Sequence, residues 1–194
     1  MKEESENAQQ AAKPDPALRR LDPLVGTWQM KGRPVGATRD SITGTSTYRW
    51  LPGGFFLQQQ MSMNYDGTQI ESHELIGYDP KTKAFTSQVY SNMAPDPWPY
   101  QWDIRDGDWT ISIEHGPMNA RFKGRIDGNT FKGGWRPSPG ADEEINTPYD
   151  IEGTRVASNR KSGSKALDGK TKPKKAKAVA KSKPRRAAAR ARHK

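Results

Sequence analysis

In the stretch Gln69–Tyr78, Ser72 and Glu74 share the two-residue phase of Ile70 and Ile76. Side chains along an extended chain alternate between faces, so this phase sends a hydroxyl and a carboxyl to the same side as two isoleucines. A carboxyl in such company needs a partner or a raised pKa. It then suits acid–base work or the gripping of a polar group on a buried ligand. Gln59 follows the alternation of Leu57 and Met61, and Ser87 that of Phe85 and Val89. Trp102 and Ile111 belong to the same inward set. His115 continues the phase of Ile111 and Ile113 but ends its strand, which places it at the mouth of any enclosed space. The candidate pocket is therefore Gln59, Met61, Ser72, Glu74, Ser87, Trp102, Ile111 and His115. For its apolar members the alternative is a filled core.

Other chemistries lack their residues. There is no cysteine, hence no thiolate nucleophile, disulfide or cysteine-type zinc or iron–sulfur site. His73 falls opposite Glu74, and two histidines at no set spacing from carboxylates do not form a zinc signature. Glycine-rich nucleotide loops and the GxSxG elbow are missing. Glu143-Glu144 sits in a loop that reads as solvated. No catalytic residue, metal ligand or cofactor is assigned.

The elements that must hold these residues are short strands separated by turn signals. They read as Gly26–Arg33, Thr43–Leu51, Phe55–Tyr65, Gln69–Tyr78, Ala84–Ser91, Tyr100–Arg105, Asp108–His115, Asn119–Ile126, Thr130–Arg136 and Tyr149–Val156. Asp66-Gly67 and Asp106-Gly107 are hairpin turns. Asn92–Pro99 contains three prolines and reads as a loop, either a lid over a mouth or a rigid connection with Trp98 on the rim. Before the first strand, Pro16–Leu21 suits one or two helical turns capped by Asp15, with Leu18 and Leu21 on one side. No amphipathic helix is long enough to cover an open sheet. The expected fold is all-β: an antiparallel up-and-down barrel of about ten strands, closed on itself to remove its edges. A sandwich of two meandering sheets is the alternative.

Charge divides the chain. From Ser158 onward fifteen lysines and arginines face one acid, a net +14, which leaves −4 of the whole-chain +10 for residues 1–157. Residues 158–194 have no apolar face and read as a disordered basic tail. Its candidate phosphate contacts are Lys172, Lys174, Lys175, Lys177, Lys181, Lys183, Arg185, Arg186, Arg190 and Arg192. With no aromatic residue for base stacking, the tail would bind DNA or RNA without sequence preference. A solubilising or loosely membrane-attracted tail is the alternative. Residues 1–14 are polar and read as disordered, which leaves 15–157 as the folded domain. The chain shows neither a signal-peptide pattern nor an apolar run of roughly 20 residues that would span a membrane. The expected setting is cytoplasmic.

Leu24-Val25-Gly26-Thr27-Trp28, a helical turn running into Gly-x-Trp at the start of the first strand, resembles the lipocalin and fatty-acid-binding (calycin) superfamily. It looks most like bacterial lipocalin-like proteins of uncharacterised function, over roughly residues 18–156. The resemblance implies that Trp28 plugs the closed end of the barrel and that Arg155, late in the last strand, packs over its ring. Nitrobindins, ten-stranded haem barrels, are also similar. They need a histidine near the end of the barrel, and Tyr149–Val156 has none, so no haem is expected.

Three functions are compatible with these residues. One is a non-enzymatic barrel that binds a small apolar or amphipathic molecule, with a cationic tail for polyanions. Another is a calycin-like enzyme using Glu74 or a histidine as acid–base. The third is a nucleic-acid-associated protein acting through its tail.

Overall fold

The computed structural model describes residues 12–157. The basic tail and its ten candidate contacts, Lys172 to Arg192, lie outside the described residues, as do the first eleven residues of the N-terminus. Residues 12–14 carry no regular structure.

A 3-10 helix, Pro16–Leu24, opens the described chain. Asp15 caps it, its carboxylate accepting from the backbone N–H of Ala17 at 2.8 Å, and Pro16 occupies the first turn, where no amide hydrogen is needed. A 3-10 helix has three residues per turn. Leu18, Leu21 and Leu24 therefore stack on one side, and all three are buried.

Ten strands follow: β1 (Gly26–Pro34), β2 (Ile42–Trp50), β3 (Leu57–Tyr65), β4 (Thr68–Asp79), β5 (Ala84–Ser91), β6 (Trp98–Arg105), β7 (Asp108–His115), β8 (Met118–Asp127), β9 (Thr130–Pro137) and β10 (Tyr149–Arg155). Each pairs antiparallel with its neighbours in sequence, and β1 pairs with β10 to close the barrel. The fold is thus the antiparallel up-and-down barrel that the turn spacing predicts. Asp66-Gly67 and Asp106-Gly107 turn with both residues at positive φ, 48° and 90° in the first and 51° and 86° in the second. That is the type I′ geometry whose twist matches the flanking strands.

Two boundaries differ from the sequence reading by two residues. β6 begins at Trp98 rather than Tyr100, with Trp98 opposite Val89 and Pro99 opposite Gln88. The proline sits near the strand's start, where the ladder loses a single donor. β3 begins at Leu57 rather than Phe55. Phe55 and Phe56 are exposed, and the Phe56 ring covers Gly77, where an added Cβ would come within 2.8 Å of it.

The inward residues follow the alternation. Leu57, Met63, Ile76, Phe85, Val89, Trp102, Ile104, Ile111, Ile113, Phe122 and Phe131 are buried, and Met61 and Trp135 are partly so. Among the described residues no helix is long and apolar enough to cross a membrane.

Candidate functional site

One end of the barrel is sealed. Trp28 is 1% exposed, and its indole N–H donates to the Leu24 carbonyl at 2.8 Å. Arg155 is its register partner on β10, and the guanidinium carbon lies 4.1 Å from the Trp28 ring centroid. The same guanidinium donates to the carbonyls of Pro23 and Val25, where the helix ends. Gly26 makes room for it. Its φ is 126°, and a Cβ there would stand 2.9 Å from an Arg155 nitrogen. The helix side chains Leu18, Leu21 and Leu24 join the core cluster of the sealed end. Arg20 fastens the helix to β6, donating to the Ile104 carbonyl and to the Asp103 carboxylate, each at 2.7 Å.

From the plug a chain of ring contacts climbs the wall: Trp28 to Phe131 at 5.3 Å between centroids, Phe131 to Trp109 at 5.5 Å, and Trp109 to Phe122 at 4.7 Å. It continues from Phe122 to Trp135 at 5.8 Å and from Trp135 to Tyr100 at 5.6 Å. Inside the wall these rings form, the barrel is hollow. A cavity of about 490 Å³ occupies its upper part and opens at the end opposite Trp28. That volume suits a ligand of small-molecule size. Met93, Trp98, Met118 and Ile145 contribute to its lining from the mouth.

Glu74 lies in the wall of this cavity and is 2% exposed. Its Oε1 accepts from the Ser87 hydroxyl at 2.5 Å and from the Trp102 indole N–H at 2.9 Å. Among the described residues no donor reaches Oε2. Burial pushes the carboxyl up to about 7, against the two hydrogen bonds that favour its charged form. Beside it on β3, Gln59 donates to the Tyr48 hydroxyl at 2.7 Å and to Ser46 Oγ at 2.9 Å. Burial, and then the neighbouring Glu74 charge, raise the Tyr48 and Tyr100 phenols above the ordinary tyrosine range, so both stay neutral. Two buried polar atoms in the lining have no hydrogen-bond partner, the Trp109 indole nitrogen and the Tyr65 hydroxyl.

The pocket candidates divide into three groups. Gln59, Met61, Ser72, Glu74 and Ile111 line the cavity. Ser87 and Trp102 are buried outside the lining, where they hold the Glu74 carboxyl. His115 does not line this cavity. It is exposed at the last position of β7, opposite Met118. His73 is exposed on the outer face, as its phase indicates.

Sequence reasoning missed Ser46 and Tyr48 on β2, Tyr100, Tyr149, and Asn146. The last is 5% exposed and anchors the acidic loop at the mouth. Its Oδ1 accepts from Asn119 N at 2.8 Å, while its Nδ2 donates to the carbonyls of Pro117 at 3.1 Å and Asp142 at 2.9 Å.

Among solved structures, the chain is similar to the crystal structure of Rv2717c from M. tuberculosis, at 15% identity and a TM-score of 0.49, over 75% of this chain and 100% of that one. No curated protein matches it. Residues 13–125, more than half of the chain and reaching from the 3-10 helix into β8, match the family described as "Protein of unknown function (DUF1579)". The chain belongs to that family.

Proposed function

We propose that the barrel is a binding protein for a small apolar or amphipathic molecule, held in the cavity above the Trp28 plug. The observation that carries this reading is the cavity of about 490 Å³, apolar over most of its wall and polar around one carboxyl. Apolar walls with a few placed polar groups are the usual make-up of ligand sites.

The lipocalin-like resemblance of Gly26-x-Trp28 and Arg155 supports the same use, with the plug as architecture and the opposite end as entrance. A cytoplasmic setting and nonspecific polyanion binding by residues 158–194 belong to the proposal and rest on composition. Catalysis by Glu74 is the weaker reading. The carboxyl has an acid–base-competent pKa of about 7, but among the described residues no second titratable group with a complementary shift stands beside it.

Native mass spectrometry of the protein from its own host tests the binding reading. A bound species of defined mass is expected, and it should disappear in Met61→Trp, which puts an indole into the cavity from β3. Finding only unliganded protein, with no uptake of apolar probes, would sink the proposal.

A further inference from the structure

The cavity contains one ionisable carboxyl and no cation. Among the described residues its lining includes no lysine, arginine or histidine, and Glu74 is its only acid. A ligand carboxylate or phosphate entering here would lose its water and meet no opposite charge, only neutral donors and, above pH 7, a second anion. The groups facing Glu74 come from four strands. β2 presents Tyr48, β3 presents Gln59, β5 presents Ser87 and Val89, and β6 presents Tyr100 and Trp102. Of these only the two tyrosines titrate, and both remain neutral. Oε1 is held by two donors while Oε2 has none among the described residues.

Aromatic rings share the cavity with this carboxyl. Trp109 stacks on Trp102 at 5.7 Å between centroids, and Tyr100, Trp109 and Trp135 lie in the lining. Ring faces attract cations electrostatically, more strongly where water is excluded.

We propose that the cavity selects a basic ligand, a protonated amine or nitrogen heterocycle on an apolar body, with Glu74 Oε2 as its counter-ion, and rejects carboxylates. This rests on the binding reading of the barrel and gives it a ligand class. The ligand's N–H donates to Oε2, and the apolar body fills the space between the aromatic wall and Met61. No covalent step is involved.

Three probes of nearly one shape test it by isothermal titration calorimetry on the full chain: 1-naphthylmethylamine, 1-naphthylmethanol and 1-naphthoate. At about pH 8, where Glu74 is ionised, the amine should bind about tenfold or more tighter than the alcohol, with the carboxylate weakest. Glu74→Gln should remove the amine's advantage over the alcohol. A second arm needs no variant. On lowering the wild-type protein to about pH 6, Glu74 takes up its proton while the amine keeps its charge, so amine affinity should fall several-fold and alcohol affinity should hold. A carboxylate that equals the amine at the higher pH, or an amine advantage that survives in Glu74→Gln or at the lower pH, would overturn the assignment. Binding of the alcohol without an amine preference overturns the ligand class and leaves the barrel a binding protein. Failure of all three probes overturns both readings.

Discussion

At the scale of single residues, Trp28 and Glu74 make opposite demands on stability. The Trp28 indole is buried, hydrogen-bonded and covered by Arg155. Trp28→Ala should cost about 3–5 kcal/mol, read as a fall in Tm, and an unchanged Tm would refute its role as the plug. Gly26→Ala is a smaller version of the same test. It strains a φ of 126° and presses a methyl group against Arg155, and the expected loss is about 1–3 kcal/mol. Glu74 instead destabilises the fold when charged. Its carboxyl titrates near 7 in the barrel against 4.5 when exposed, so the folded state holds the proton more tightly. Stability from this group is complete below about pH 4.5 and is lost as pH rises to about 7, a change of about 3 kcal/mol. The other displaced acids, Glu71, Asp79 and Glu152, are shifted downward and act below that window. Urea midpoints of wild type against Glu74→Gln should therefore diverge between about pH 5 and pH 7.5, with the variant the more stable at the upper end. Parallel curves would show that Glu74 is not buried as described.

At the scale of elements, period-two alternation made the inner face readable wherever apolar residues marked it. On β3, Leu57, Met61 and Met63 carry Gln59 inward with them. On β4, Ile70 and Ile76 do the same for Ser72 and Glu74. β2 was not readable in this way. Between Ile42 and Trp50 its inner positions are Gly44, Ser46 and Tyr48 against outer threonines, so the middle of the strand has little apolar contrast, and half of the polar cluster around Gln59 went unseen. Phase also says nothing about height. It sends Ser87 and Trp102 inward without revealing that they sit behind Glu74, outside the cavity, and it sends His115 inward although that residue is exposed at the end of β7. Asn146 escaped for a further reason. Its partners Asn119 and Pro117 are 27 and 29 residues away in sequence, and the loop's return to the mouth exists only once the barrel has formed. The 3-10 helix, by contrast, was legible from its cap and its leucine spacing, because both are local.

At the scale of the whole molecule, an acidic barrel is joined in one chain to a strongly basic stretch. Affinity for duplex DNA should fall linearly with the logarithm of salt concentration. Deleting residues 158–194 should abolish most of that binding and flatten its slope, as measured by fluorescence anisotropy. DNA affinity that is unchanged by the deletion would assign the binding to the barrel. Ring closure by the β1–β10 pairing constrains the protein's company in another way. Proteins with an open sheet edge can recruit a partner by accepting an extra strand, main chain to main chain, with little regard for side chains. Residues 12–157 present no such edge, because every strand has neighbours on both sides. A peptide or a second copy that associates with this barrel has to read its side chains, at the mouth, the sealed end or the outer wall. Single substitutions at those surfaces should therefore be able to abolish association, as they rarely do where a backbone ladder supplies the affinity.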